Sequence, residues 1–179
     1  MIYFLDEDGG SVNINGKSVW LEYDIANMDY LDLLNVCFMY SSYFTLLYRK
    51  KGVILKNEPV PYKVLIKTPD EITGYNSSRY FERRFYCCND QSKIFLSKIT
   101  NSLFSLSNLD NENDLPEDLT FYRANGTAFF WSMTHEGICV LSNCENEDVS
   151  MVVTKQGWKS YDPKIDEMNY LIPKYFIEL

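Results

Sequence analysis

Residues 119–133, LTFYRANGTAFFWSM, decide the fold of this chain. Two runs rich in aromatic and aliphatic residues, 119–123 and 127–133, flank the dipeptide Asn125-Gly126. Asn-Gly is typical of tight hairpin turns, because both residues tolerate a positive φ angle. The stretch therefore predicts two antiparallel strands.

The sequence that follows extends this pattern into a meander. Glu136-Gly137 is a turn signal, and the apolar runs 138–141 and 149–153 after it predict two more strands. Between those runs, residues 143–148 form an acidic loop. The C-terminal part of the chain is therefore expected to be rich in β-structure.

Upstream, the pattern mixes helices with strands. Apolar residues at helical spacing predict a long helix at about 30–51, with Asp29 as its N-cap and Gly52 as its end, and a second helix within 93–106. Residues 62–67 predict a strand. Near the N-terminus, Asn15-Gly16 predicts a hairpin between residues near 12–14 and 18–23.

The polar stretch 107–118 is acidic and separates the mixed part from the β-rich part. The residues after it would make a marginal core alone, so we interpret the stretch as a loop within one domain, 1–179. The expected fold class is α+β: a single domain whose antiparallel sheet is accompanied by one long helix and one or two shorter helices.

Charge restricts the class of partner. The chain has 17 Lys and Arg against 25 Asp and Glu, for a formal net charge of −8. Such a protein repels the phosphates of nucleic acids and anionic lipid surfaces. No stretch is apolar for long enough to predict a membrane span. We therefore expect a basic protein partner, with no direct contact to nucleic acid or membrane, and the oligomeric state stays open.

The cysteines and the N-terminal residues predict a cytoplasmic protein. Five cysteines without a regular spacing do not form a disulfide framework. The first residues run into acidic positions 6–8, without the basic start and apolar core of a secretory signal. Free thiols fit a reducing compartment. We expect folding without a disulfide, metal ion or cofactor.

Candidate catalytic and metal-binding residues are few. His135, the single histidine, has Glu136 beside it, but adjacent residues on an extended chain point in opposite directions. Cys139 and Cys144 with His135 lack the paired spacing of a zinc site, and no strained nucleophile turn surrounds Cys139. The sequence therefore predicts a protein that is not an enzyme and has no metal site.

Acidic clusters beside aromatic residues indicate a contact surface for a cationic partner. Carboxylates raise the rate of association with a basic target, and buried aromatics dominate the affinity of an interface. The alternative interpretation of the acidic clusters is a set of solvated loops. The candidate partner-binding residues are Asp110, Glu112, Asp114, Glu117, Asp118, Glu145, Glu147, Asp148, Tyr122, Trp131 and Trp158.

This combination of small size, acidity and aromatic content resembles the immunity proteins of bacterial toxin systems. The run Leu115-Pro116-Glu117-Asp118, followed by Asn125-Gly126, is similar to a motif of the SUKH superfamily of such proteins, where the run opens a helix. Here it lies late in the chain, ahead of a predicted hairpin, and no residue roles are transferred. The resemblance implies a non-catalytic inhibitor of a toxin domain, possible targets including a nuclease.

Two other functions stay open at this stage. One is an acidic module that mimics nucleic acid or binds another protein. The other is a small hydrolase or transferase that uses His135. A toxin gene directly upstream favours the immunity protein, whereas a cleft that joins His135 to a perturbed carboxylate or thiol favours the enzyme.

Overall fold

The hairpin around Asn125-Gly126 is present and lies within the main sheet of the protein. Strand β7 (Glu117–Tyr122) pairs antiparallel with β8 (Ala128–Met133), with Thr120 opposite Trp131. Gly126 has a φ of 80°, which suits the turn, and its N–H donates to the Arg123 carbonyl at 2.9 Å. Local turn chemistry therefore fixes this hairpin.

A computed structural model describes residues 2–5, 11–14, 17–21, 23–50, 52–67, 81–106, 115–134 and 137–160. Its remaining strands are β1 (Ile2–Leu5), β2 (Ser11–Ile14), β3 (Lys17–Leu21), β4 (Tyr43–Tyr48), β5 (Lys63–Lys67), β6 (Phe81–Cys87), β9 (Ile138–Asn143) and β10 (Trp158–Ser160). Its helices are α1 (Met28–Tyr40), α2 (Asp90–Ile99) and α3 (Ser150–Val153). No helix in these ranges is long and apolar enough to cross a membrane.

Eight strands form one antiparallel sheet in the order β10-β3-β9-β8-β7-β4-β6-β5. Strands β1 and β2 pair with each other in a separate two-stranded sheet. The hairpin predicted between β2 and β3 is wrong, because β3 pairs with β9 on one side and β10 on the other. The turn dipeptide Asn15-Gly16 itself lies outside the described residues.

The predicted long helix at 30–51 is two elements. Helix α1 ends at Tyr40, and β4 then runs between β6 and β7 in the middle of the sheet. A strand with neighbours on both edges and apolar side chains on both faces lacks the alternation that marks a half-buried strand, so its apolar run also matches helical spacing. The predicted strand at 149–153 is likewise wrong, because α3 occupies 150–153.

The core lies between the sheet and helix α1. Phe44, Phe121, Phe130 and Leu141 occupy adjacent register positions on four neighbouring strands. The Phe38 ring of α1 lies 5.9 Å from that of Phe44 and 5.4 Å from that of Phe121, centre to centre. This face of the sheet therefore packs against the helix, and the large aromatics fill the space.

Helix α2 begins with a capping box. Asn89 accepts a hydrogen bond from the Ser92 N–H at 2.9 Å, and the Asn89 N–H donates to the Ser92 hydroxyl at 3.0 Å. Its end at Ile99 shortens the predicted 93–106 helix. With an antiparallel sheet, one 13-residue helix and two shorter ones, the α+β prediction is confirmed.

Candidate protein-interaction surface

The aromatic residues predicted to contact a partner are mostly inside the protein. Tyr122 and Trp131, on the central strands β7 and β8, are only 3% and 6% exposed. Trp158 is half-buried against the core. Tyr122 and Trp131 therefore belong to the packing of the sheet, which corrects the expectation that they offer contact area to a partner.

The acidic residues at the start of β7 are also integrated into the fold. The Glu117 side chain is 1% exposed, and both its oxygens accept hydrogen bonds from the Arg49 guanidinium, one of them at 2.8 Å. Asp118 is half-buried and accepts from the Thr134 N–H at 3.2 Å. The predicted solvated loop thus ends before Glu117. Outside the described residues lie Asp110, Glu112, Asp114 and His135.

The acidic loop between β9 and α3 is attached to the sheet by an ion pair. The Arg123 guanidinium donates to both carboxylate oxygens of Glu147, at 2.6 and 2.7 Å, and to the carbonyls of Ala128 and Ser142 at 2.8 and 2.5 Å. Glu147 also accepts from the Cys144 N–H at 2.7 Å. Glu147 therefore fixes the loop and is not a free contact residue.

Two opposing effects set the pKa of Glu147. Partial burial favours the protonated carboxyl and raises the pKa, whereas the hydrogen bonds from Arg123 and from the Cys144 N–H favour the carboxylate and lower it. The hydrogen bonds outweigh burial, so the pKa of Glu147 lies below its ordinary value. The pair is consequently charged at neutral pH.

The other two acids of this loop, Glu145 and Asp148, are exposed. Hydrogen bonds from the Ser150 hydroxyl and from the Ser150 N–H, the latter at 2.9 Å, stabilise the Asp148 carboxylate and lower the pKa of Asp148. The backbone N–H of Asp148 donates to the Tyr40 hydroxyl at the end of α1, also at 2.9 Å. The loop thus holds the Asp148 carboxylate in a defined place beside α1.

Exposed methionines lie on α1 and on the segment that runs alongside it. Met28 and Met39 of α1 are each 67% exposed and eleven residues apart, so they share one helix face at a separation of roughly 16 Å along the axis. Segment 148–155 runs alongside α1, because Asp148 contacts Tyr40 while Lys155 pairs with Asp29 and Asp32. Met151, in that segment, is 54% exposed. We call the group made by Met28, Asp29, Met39, Glu145, Asp148 and Met151 the acidic methionine surface.

Three of the five cysteines, Cys37, Cys88 and Cys139, are poorly suited to nucleophilic chemistry. Cys37 and Cys139 are fully buried, and burial raises the pKa of each thiol. Burial also raises the pKa of Cys88 to about 12. Since the thiolate is the reactive form, these residues are unreactive at neutral pH. Within the described ranges no cluster of three or more His, Cys, Asp or Glu residues has the geometry of a metal site.

Of the residues in this surface, the sequence prediction had named Glu145 and Asp148 as partner-binding candidates, but not Asp29 or the methionines. The eleven-residue spacing of Met28 and Met39 was available as a signal, but the predicted helix began after Met28. Comparison of the chain with models of known protein families, with curated proteins and with solved structures finds no match. Family membership, including the resemblance to immunity proteins, therefore stays a prediction.

Proposed function

We propose that this chain is a non-catalytic protein-binding domain that inhibits a basic partner, as an immunity protein inhibits a toxin domain. The observation that carries the proposal is the acidic methionine surface. Two of its methionines are 67% exposed, which leaves large apolar side chains in water without a structural reason. Apolar groups displayed among charges are typical of protein interaction sites.

The chemistry of the surface fits a cationic, partly apolar target. Methionine is unbranched and polarisable, so exposed methionines adapt to partners of different shape. Glu145 and Asp148 are exposed acids of the same surface, whereas Asp29 is paired with Lys155. Such charges raise the association rate of a basic protein and disfavour acidic competitors.

A nuclease-type toxin is the partner class that best matches this chemistry. A protein that holds nucleic acid needs a basic surface, and an inhibitor with a formal charge of −8 competes for that surface. The methionines then replace the buried Tyr122 and Trp131 as the expected apolar anchors. Cytoplasmic action follows from this proposal, because an immunity protein acts where its toxin would otherwise harm the producing cell.

The test is kinetic binding to the toxin candidate encoded beside this chain, at several salt concentrations. We expect Glu145→Gln with Asp148→Asn to slow association and to weaken its salt dependence, since charges at a rim act mainly on encounter. Met39→Ser with Met151→Ser should speed dissociation. Ile94→Ser, on an exposed site of α2, is the matched control and should change neither rate.

Titration of the toxin activity with this protein distinguishes inhibition by binding from inactivation by catalysis. A stoichiometric inhibitor reaches its end point at one equivalent, whereas an enzyme inactivates its target at far lower amounts. His135→Ala should leave the titration unchanged. If association proves independent of salt and of the acid substitutions, or if the end point falls well below one equivalent, the proposed function is wrong.

A further inference from the structure

The strand β5 forms one open edge of the eight-stranded sheet. It pairs with β6 and with no other described strand, so one row of its backbone N–H and C=O groups is unpaired in the described part of the chain. Val64 and Ile66 alternate along it and are 42% and 47% exposed. An exposed apolar edge of this kind is a template for a further strand.

The loop before β5 presents more apolar surface beside this edge. Ile54 and Val60 are 84% and 91% exposed. The loop is held down by Glu58, whose side chain is 4% exposed and accepts from Arg84 at 2.6 Å and from the Tyr86 hydroxyl at 2.5 Å. Arg84 is the register partner of Val64, so the loop lies over β6 on the face of the sheet to which Val64 belongs.

The charge of this region is opposite to that of the rest of the protein. Residues 49–67 contain six of the 17 basic residues and one of the 25 acidic residues. Of these, Arg49 is paired with Glu117, and the single acid, Glu58, shares the Arg84 guanidinium with Glu82. Lys63 and Lys67 stand at the two ends of β5. We call the group formed by Ile54, Val60, Tyr62, Lys63, Val64 and Ile66 the basic edge surface.

A second copy of the chain is a poor match for this edge. If two β5 strands paired antiparallel around Leu65, Lys63 of each copy would face Lys67 of the other. In a parallel pairing in register, each lysine would face itself. Like charges directly opposite each other destabilise a strand pair, so both symmetric arrangements are disfavoured.

We propose that the β5 edge binds an extended acidic segment of another protein as a ninth strand. The backbone of the segment pairs with the open edge, and its acidic residues occupy the register positions opposite residues 63 and 67. Its β-branched or aromatic side chains, in alternate positions, cover Val64 and Ile66. Main-chain hydrogen bonds supply affinity in this mode, and the alternating side chains supply specificity. The site is independent of the acidic methionine surface and selects a partner of opposite charge.

The experiment is a selection of random twelve-residue peptides displayed on phage against the whole protein. We expect the enriched peptides to be acidic, with Val, Ile, Tyr or Phe at alternate positions. A synthetic peptide of the consensus sequence should lose at least tenfold in affinity for Lys63→Glu with Lys67→Glu. It should lose about threefold for Val64→Thr with Ile66→Thr, which keep β-propensity but remove apolar contact.

A matched charge reversal on another element provides the control. Lys93→Glu with Lys98→Glu, on α2, should change the affinity less than twofold, and urea denaturation should show that all variants fold. Hydrogen exchange of the amides of residues 63–67 should slow when the peptide binds. Neutral or basic consensus peptides, equal losses for the α2 control, or unchanged exchange at 63–67 would each overturn the proposal.

Two other ligand classes share the attraction to lysine and are included as arms of the test. Vesicles containing phosphatidylserine and a single-stranded oligouridine are offered to the protein and to Lys63→Glu with Lys67→Glu. If the protein binds neither the vesicles nor the oligouridine, the result supports the peptide site. Binding of either that the double variant abolishes would assign the surface to a membrane or to RNA and would overturn the proposal.

Discussion

Removal of the Glu147 carboxylate should destabilise the whole protein, because that group holds the β9–α3 loop on the sheet. The Arg123 and Glu147 side chains are 10% and 12% exposed, so the ion pair is largely buried. Glu147→Ala leaves the guanidinium without its anionic partner and the Cys144 N–H without its acceptor. The backbone carbonyls of Ala128 and Ser142 still accept from Arg123.

The expected loss in the free energy of unfolding is about 3 kcal/mol, near the lower limit for a broken buried pair because the carbonyl contacts remain. For a chain of this length that corresponds to a decrease in Tm of roughly 6–12 °C. Glu147→Gln keeps one acceptor oxygen and should lose about 1–2 kcal/mol. Glu145→Ala, at the exposed neighbouring acid, is the control and should stay within about 0.5 kcal/mol.

The pH dependence has a definite sign. The pKa of Glu147 is lower in the folded protein than in the unfolded chain, where it is about 4.3. Its contribution is therefore fully present above the unfolded value and is lost as the pH falls through the folded value. The stability difference between wild type and Glu147→Gln should be largest near neutral pH and should shrink below about pH 4.

Urea denaturation followed by circular dichroism at pH 7, 5 and 3.5 measures these quantities. The interpretation of Glu147 as an anchor fails if Glu147→Ala and Glu145→Ala are equally stable. It also fails if the difference between wild type and Glu147→Gln grows as the pH decreases, because that would require a folded pKa above the unfolded one.

Two further variants test other parts of the framework by the same denaturation assay. Asn89→Ala removes the side-chain acceptor of the α2 capping box and should lower stability by about 1 kcal/mol; an unchanged midpoint would show that the box does not stabilise α2. Glu58→Ala removes the acceptor that Arg84 and the Tyr86 hydroxyl share and should cost about 3 kcal/mol, because Arg84 keeps its ion pair with Glu82; the loss for Glu58→Gln should be smaller. Equal losses for the two Glu58 variants would mean that the charge of the carboxylate is irrelevant.

The sequence predicted the parts of the fold that depend on local chemistry. The β7–β8 hairpin follows from Asn125-Gly126, a signal complete within a few residues. Strand β4 was predicted as part of a helix. Its residues 43–48 are mostly aromatic or aliphatic on both faces of the sheet, so the sequence lacks the alternation that indicates a strand. Strand β4 pairs with β6 and β7, which lie far from it in the sequence. The local sequence pattern around residues 43–48 does not predict these pairings.

The same limit explains the outcome for the candidate site. Acidity was visible in the composition, and Glu145 and Asp148 are exposed as expected for a contact surface. Whether Tyr122 and Trp131 face water depends on strand order, which a single sequence does not specify. Glu117 and Glu147 pair with arginines that are 68 and 24 residues away in the sequence. The sequence pattern therefore did not predict these ion pairs either.

The position of β3 constrains how the chain reaches this fold. Residue 17 faces residue 143, so β3 has no neighbour in the main sheet until β9 and β10 have been synthesised. Closing a sheet through such distant contacts is slow, on the order of milliseconds to seconds. While the ribosome makes the intervening residues, β3 lacks both of its partners in the main sheet, and unpaired edges promote aggregation. Completion of the sheet, and protection of β3, therefore wait until residues 158–160 have been synthesised.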